Sequence, residues 1–231
     1  MADYMEKLIE SIDLNQDGPL YRIIYKSLRK AIIEGKIPMG ERINEKIYAQ
    51  ELNVSRTPVR VALQRLEDEG IVKHLPNHGI IVTRITKKDI EEIYKIRVAL
   101  DILASGNAAK MMTDAEKQSI HDLLKRTKEA DEAGFVQEVI QLSKEFNHRI
   151  YELADMPHLK NIQKKLHDYL IRFRDVSLMS DNRRREAVDE HQAIFDCMCS
   201  GEMKELEGVI TNHLYRSKKF ILLEMDEAND E

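Results

Sequence analysis

The sequence predicts a mainly α protein: a winged helix-turn-helix of three helices and a β-hairpin, followed by an all-α antiparallel bundle of about six helices. Three observations predict it. Apolar residues recur at helical spacing along most of the chain. The β-rich runs are confined to two short neighbours, IVKHL and GIIVTRI, joined by a Pro/Asn/Gly turn. The composition is 33% charged and 6% aromatic with no Trp, a balance typical of helical proteins.

Residues 1–18 are polar and acidic and read as a frayed arm. Pro19 then opens a helix in which Leu20, Ile23, Ile24, Leu28, Ala31 and Ile32 form one apolar face, ending near Gly35. IPMGERIN has a Pro, a Gly and no periodicity, and reads as a loop. A second helix spans about 45–52 behind Asn44 as N-cap, NVS makes a bend, and a third helix starts at Ser55 and runs to about Gly70. The hairpin follows. From Thr86 onward only helical patterns remain, near 87–112, 114–132, 134–154, 157–178, 184–199 and 202–225. Thr86 and Asp89 form a Thr-x-x-Asp capping pattern at the first of these. The expected organisation is an arm (1–18), a winged domain (19–85), a helical domain (86–225) and a disordered tail (226–231).

Charge is divided unevenly along the chain. The formal net charge is −5, yet residues 20–85 hold 12 Lys+Arg against 7 Asp+Glu, while residues 86–231 hold 23 against 29. Phosphate binding needs a local positive face, not a basic total. No apolar run approaches the roughly 18 residues of a membrane span, and the first residues lack a secretory pattern. Cys197 and Cys199, the two cysteines, read as reduced thiols and place the protein in a cytoplasm.

The DNA-reading pattern lies in residues 44–70, a short helix, a tight turn and a longer helix. Val59, Ala62, Leu63 and Leu66 make a buried stripe, which leaves Arg56, Thr57 and Arg60 on other faces near the helix start. That end of a recognition helix meets the major groove. Arginine can bond guanine O6 and N7 in pairs, and helix-start amides attract phosphate. Pro58 is tolerated in a first turn. A hairpin directly after such a helix is a wing, and Gly79 at its tip allows close backbone approach. Two other classes fit the sequence less well. A metal-dependent hydrolase lacks any HExxH, GxSxG or P-loop in support. A non-specific architectural DNA protein fits poorly with total acidity and a large helical domain.

The segment from PLYRIIYK to GIIVTRI, and above all VSRTPVRVALQRLEDEG with its glycine-tipped wing, resembles the winged domain of the GntR superfamily of repressors. The resemblance implies DNA contacts at Lys46, Ser55, Arg56, Thr57, Arg60, His78 and Gly79. INEK stands where several relatives carry Ser-Glu-Arg, so Lys46 departs most from the pattern. The pieces IYKIRVALDILASGNAA, EFNHRIYELADMPHL and DEHQAIFDCMCSGEMKELEGVITNHL resemble the all-helical, FCD-type effector domain of the FadR-like branch. That resemblance implies a ligand-responsive repressor, dimeric on a palindromic operator, with a small organic acid or a divalent metal of the zinc or nickel class in its bundle. The implied effector residues are Arg97, Asn147, His191 and His213, of which His191 and His213 would be metal ligands. Spacing adds to this: the two histidines lie at similar distances, roughly 15–18 Å, from the turn at Gly201 and can be level on antiparallel helices. They also read as a structural or hydrogen-bonding pair. The family's acid-x3-His pair falls on Ser143 and Asn147, and His148 lies about 100° further round the helix. Arg97, one turn before Asp101, is either half of an ion pair or a carboxylate clamp.

Overall fold

The computed structural model describes residues 17–76 and 79–227. The chain divides into two compact units, Met1–Thr86 and Lys87–Glu231.

In the first unit α1 (Leu20–Ile33), α2 (Glu45–Glu51) and α3 (Arg56–Asp68) surround one core. Ile23, Ile24, Leu28 and Ala31 of α1 are buried together with Val59, Ala62, Leu63 and Leu66 of α3. The apolar spacing of both helices thus decides which faces meet. Asn44 caps α2, its side chain accepting from the amides of Lys46 (3.0 Å) and Ile47 (3.3 Å). At the end of α3, Gly70 adopts a left-handed φ of 75°. The Ile71 amide reaches back to the Leu66 carbonyl (2.9 Å) and the Gly70 amide to that of Glu67 (2.8 Å). This Schellman closure turns the chain straight into the wing.

The wing is β2 (Val72–Leu75) and β3 (Gly79–Val82), antiparallel, with Leu75 opposite Gly79 and Val72 opposite Val82. One element departs from the sequence expectation. The segment read as a loop contains β1 (Arg42–Ile43), which pairs with β3 through Arg42↔Ile81 and Ile43↔Ile80, giving the order β1-β3-β2. Two residues are too few to show a period; only the pairing with β3 defines this strand.

The second unit is built from α4 (Lys87–Met111), α5 (Asp114–Glu132), α6 (Val136–Leu153), α7 (Pro157–Met179), α8 (Asp181–Ser200) and α9 (Met203–Glu227). α4 packs against α6, α7, α8 and α9. It accordingly buries polar as well as apolar residues, including Arg97, Asp101 and Ser105. α5 opens on a full capping box, Thr113 with Glu116. α8 ends on Gly201, left-handed at φ 75°. α9 runs through Asp226 and Glu227, two residues that the sequence places in the tail, and Asp226 pairs with Lys87. Cys197 is buried and Cys199 exposed, and both are free thiols. The expected arm (apart from residues 17 and 18), His78 at the wing tip and the last four tail residues lie outside the described residues.

Candidate DNA-reading face and effector cavity

The start of α3 presents its polar residues to solvent. Ser55, Arg56, Thr57 and Arg60 are exposed, while Val59, Ala62, Leu63 and Leu66 on the opposite side are fully buried. Ser55 occupies the N-cap position and its hydroxyl makes no capping bond. The first amides of the helix and this hydroxyl are therefore available to an anion. Lys46, Gln50, Asn53, Ser55 and Arg56 line one open groove between α2 and α3. Gln50 and Asn53 were not singled out from the sequence, since neither carries a charge or a motif position. Asn53 takes a left-handed φ of 52° in the turn, a conformation Asn tolerates. Arg56 is not free-swinging: its Nε donates to Glu45 Oε1 at 2.8 Å. Gly79 has φ 78°, and a Cβ there would sit 3.6 Å from Arg42 Nε, an ordinary contact. The need for glycine at the wing is therefore conformational rather than steric.

The helical unit brings the predicted effector residues close together but does not give them one shared lining. A cavity of about 20 Å3 is bordered by Asp101, Ser105, Phe146, Asn147, Tyr151 and His213 among others. Asn147 and His213 line it; Arg97 and His191 are buried but do not. The His191 ring faces His213 at 5.1 Å and Phe146 at 4.7 Å between centroids. Asn147 spends its amide on the Ser143 carbonyl of its own helix (2.8 Å). His148 points elsewhere, exposed and paired with Glu152 at 3.2 Å.

Asp101 is the centre of a buried polar cluster. It accepts from Tyr151 (2.7 Å) and Gln163, and stands 3.4 Å from Arg97. Burial opposes the charge on Arg97, and Asp101 with Tyr94 and Tyr151 more than restores it. Of the two sequence readings of Arg97, the structure thus displays the ion pair. Gln163 lies 62 residues from Asp101, so no local pattern could have disclosed it. A second cluster surrounds His213. Its Nδ1 meets Glu190 Oε2 at 2.6 Å, and Glu190 also accepts from Arg183 (2.9 Å) and Arg216 (3.2 Å). Burial pushes the His213 imidazole below its ordinary value, with Arg183 and Arg97 acting in the same direction against Glu190. Burial would raise the Glu190 carboxyl, but His213 and Arg183 hold it below the usual carboxylate range. Glu190 precedes His191 in the sequence, and that adjacency was the available signal.

The donor set does not fit a divalent transition metal. Glu190 at Nδ1 is the kind of partner that orients a metal-ligating imidazole. Yet among the described residues two imidazoles converge, and Ser143 and Asn147 stand at the positions of the acid and the third histidine. The Ser143 hydroxyl is buried without a hydrogen bond. Among the described residues no group of three or more His, Cys, Asp or Glu side chains could hold a metal ion. Zinc and nickel sites require more nitrogen, sulfur or carboxylate donors than this.

Residues 20–82 match the profile of "Bacterial regulatory proteins, gntR family", and residues 92–216 match the "FCD domain". The chain is 32% identical over 189 residues to an uncharacterized HTH-type transcriptional regulator, YdhC, of Bacillus subtilis (strain 168), covering 81% of this chain and 84% of that one. It is 25% identical over 201 residues to the HTH-type transcriptional repressor RspR of Escherichia coli (strain K12), covering 87% and 88%. The solved structure of E. coli McbR/YncC superposes with a TM-score of 0.69 at 20% identity, over 90% of this chain and 99% of that one, a likeness of fold. Among the described residues no helix is long and apolar enough to cross a membrane. The winged helix-turn-helix, the helical unit and the agreement of both with these profiles assign the chain to the GntR family of bacterial transcriptional regulators, as a DNA-binding protein with an FCD domain and not an enzyme.

Proposed function

We propose that the protein is a cytoplasmic repressor that grips a palindromic operator as a homodimer, reading bases with Arg56 and Arg60 and holding phosphate with Lys46, Ser55, Thr57, Gly79 and His78. The observation that carries the reading is the two-sided α3: its apolar stripe is sealed in the core and its first polar turn stands in solvent. A helix fixed on one side and polar on the other at its N-terminus can enter a major groove as a rigid probe. The name of the E. coli relative supports repression. A stripe on α4 supports the dimer: Ile96, Ala99 and Leu103 follow at three- and four-residue spacing and are exposed, Ile96 by 40% and Leu103 by 50%. Two-fold pairing would double the base contacts on a palindrome.

The effector half of the proposal is a small organic acid entering the cavity beside Arg97, Asn147, His191 and His213. At about 20 Å3 the cavity is on the scale of one water molecule, so an organic acid must widen it to enter. An acid would also have to take the Arg97 guanidinium from Asp101. Such a ligand regulates DNA binding only if it favours one dimer arrangement over another.

The test is selection of duplexes from a randomised pool with the purified protein, followed by native mass spectrometry of protein with and without the selected duplex. A palindromic consensus bound by two chains is the expected result. A monomer on a non-repeating site, or no consensus at all, would refute the proposal. Leu103→Glu should shift the free protein toward monomer; an unchanged mass would move the interface elsewhere.

A further inference from the structure

We propose that Glu45 is a positioning residue for base readout: it grips the Nε edge of Arg56 so that the two terminal guanidinium nitrogens face a guanine. The inference rests on the reading that α3 enters the major groove. Glu45 is the first residue of α2, where the Asn44 cap fixes the backbone through two amides. Its side chain is 18% exposed and that of Arg56 65%, so an anchored carboxylate holds a protruding arginine. The contact, Nε to Oε1 at 2.8 Å, spans the turn between the two helices of the motif.

Arginine offers guanine two geometries: end-on through both Nη atoms, or side-on through Nε and one Nη. Occupying Nε selects the end-on geometry. It also removes rotamer freedom from a long side chain before DNA arrives, so less is lost on binding. The Glu45 charge acts in addition on phosphates. A carboxylate bonded to Arg56, which lines the groove together with Lys46, opposes any DNA that brings phosphate without offering a guanine to Arg56. Both effects favour specific over non-specific DNA. A carboxylate that merely stapled α2 to α3 would support both kinds of binding alike.

The experiment uses the full chain, a duplex recovered by selection from a randomised pool, and a scrambled duplex of the same composition. Fluorescence anisotropy at one salt concentration gives the ratio of the two dissociation constants for wild type, Glu45→Ala, Glu45→Gln, Arg56→Ala and the Glu45→Ala/Arg56→Ala pair. Glu45→Ala should lower the ratio about tenfold, the low end of what one bidentate arginine–guanine pair discriminates. Scrambled DNA should bind as well as before or more tightly. Glu45→Gln keeps an acceptor for Nε and should retain part of the ratio; being nearly isosteric, it serves the comparison should the alanine variant unfold. Once Arg56 is removed, Glu45→Ala should change the ratio no further. An unchanged ratio in both Glu45 variants, an equal loss on both duplexes, or the same loss without Arg56 would overturn the positioning role alone. A wild-type ratio in Arg56→Ala would overturn the groove reading as well.

Discussion

Arg97 and Asp101 stand one helical turn apart on α4, both buried, with Nη2 and Oδ2 at 3.4 Å. That distance is long for a buried ion pair, and Asp101 compensates by accepting from Tyr151 and Gln163. The arginine is therefore neutralised but not tightly clasped. A carboxylate ligand would meet a guanidinium that is present, and an aspartate that competes for it.

From this follows a ligand prediction. Asp101→Asn keeps an acceptor for Tyr151 and Gln163 but removes the competing charge, so small carboxylates should bind more tightly than to wild type. Calorimetry with a panel of such acids measures it. Equal or weaker affinity in Asp101→Asn would show that Arg97 does not receive the ligand.

The same pair sets a stability prediction. Arg97→Met strands a buried carboxylate and should cost about 3 kcal/mol, the low end for breaking a buried pair because two other donors remain. Adding Asp101→Asn should recover much of the loss. Urea denaturation of the three proteins checks this, and a double variant as unstable as Arg97→Met would count against the ion pair.

DNA binding should depend on the exposed face of α3 without involving the core. Arg56→Ala and Arg60→Ala should each lose roughly 1–3 kcal/mol of discrimination while melting like wild type. His78→Ala should weaken binding less, since the recognition helix stays docked. Affinity for all variants should fall with added salt as phosphate contacts release counterions. Mobility shifts over a salt series give both results; salt-independent binding would contradict a phosphate-gripping face.

His213 makes stability depend on pH. Its folded value lies below its ordinary one, so the unfolded chain takes up the proton first as pH falls. The stabilising contribution of the neutral, Glu190-bonded imidazole is complete above about pH 6.5 and is lost progressively below it. Thermal melts between pH 8 and 5 should show this decline in wild type and a shallower one in His213→Gln. Parallel curves would indicate that His213 titrates alike in both states.

Gly79→Ala should destabilise the wing by roughly 1–2 kcal/mol, the cost of a left-handed backbone for a residue with a Cβ, and not by crowding. Amide exchange across β2 and β3 reports it, and Gly79→Asn should be milder than alanine.

Much of this molecule is written in local patterns. The stripe of Val59, Ala62, Leu63 and Leu66 announced α3 and its buried side, because a helix repeats every 3.6 residues and burial follows the repeat. Gly70 and Gly201 marked helix ends because left-handed closure suits glycine. The approach of His191 and His213 was legible from their similar distances to the turn, since the rise per residue is fixed. What the tertiary structure alone decided are relationships without a period. β1 exists only because β3 lies beside it. Asp101 became the hub of a cluster because α6 and α7 bring Tyr151 and Gln163 to it. Arg97 and His191 are buried yet stand back from the cavity that Asn147 and His213 border, because each side chain's direction is set by the helices packed against it. Periodicity determines which face of an element is buried; only packing determines which distant side chains meet there.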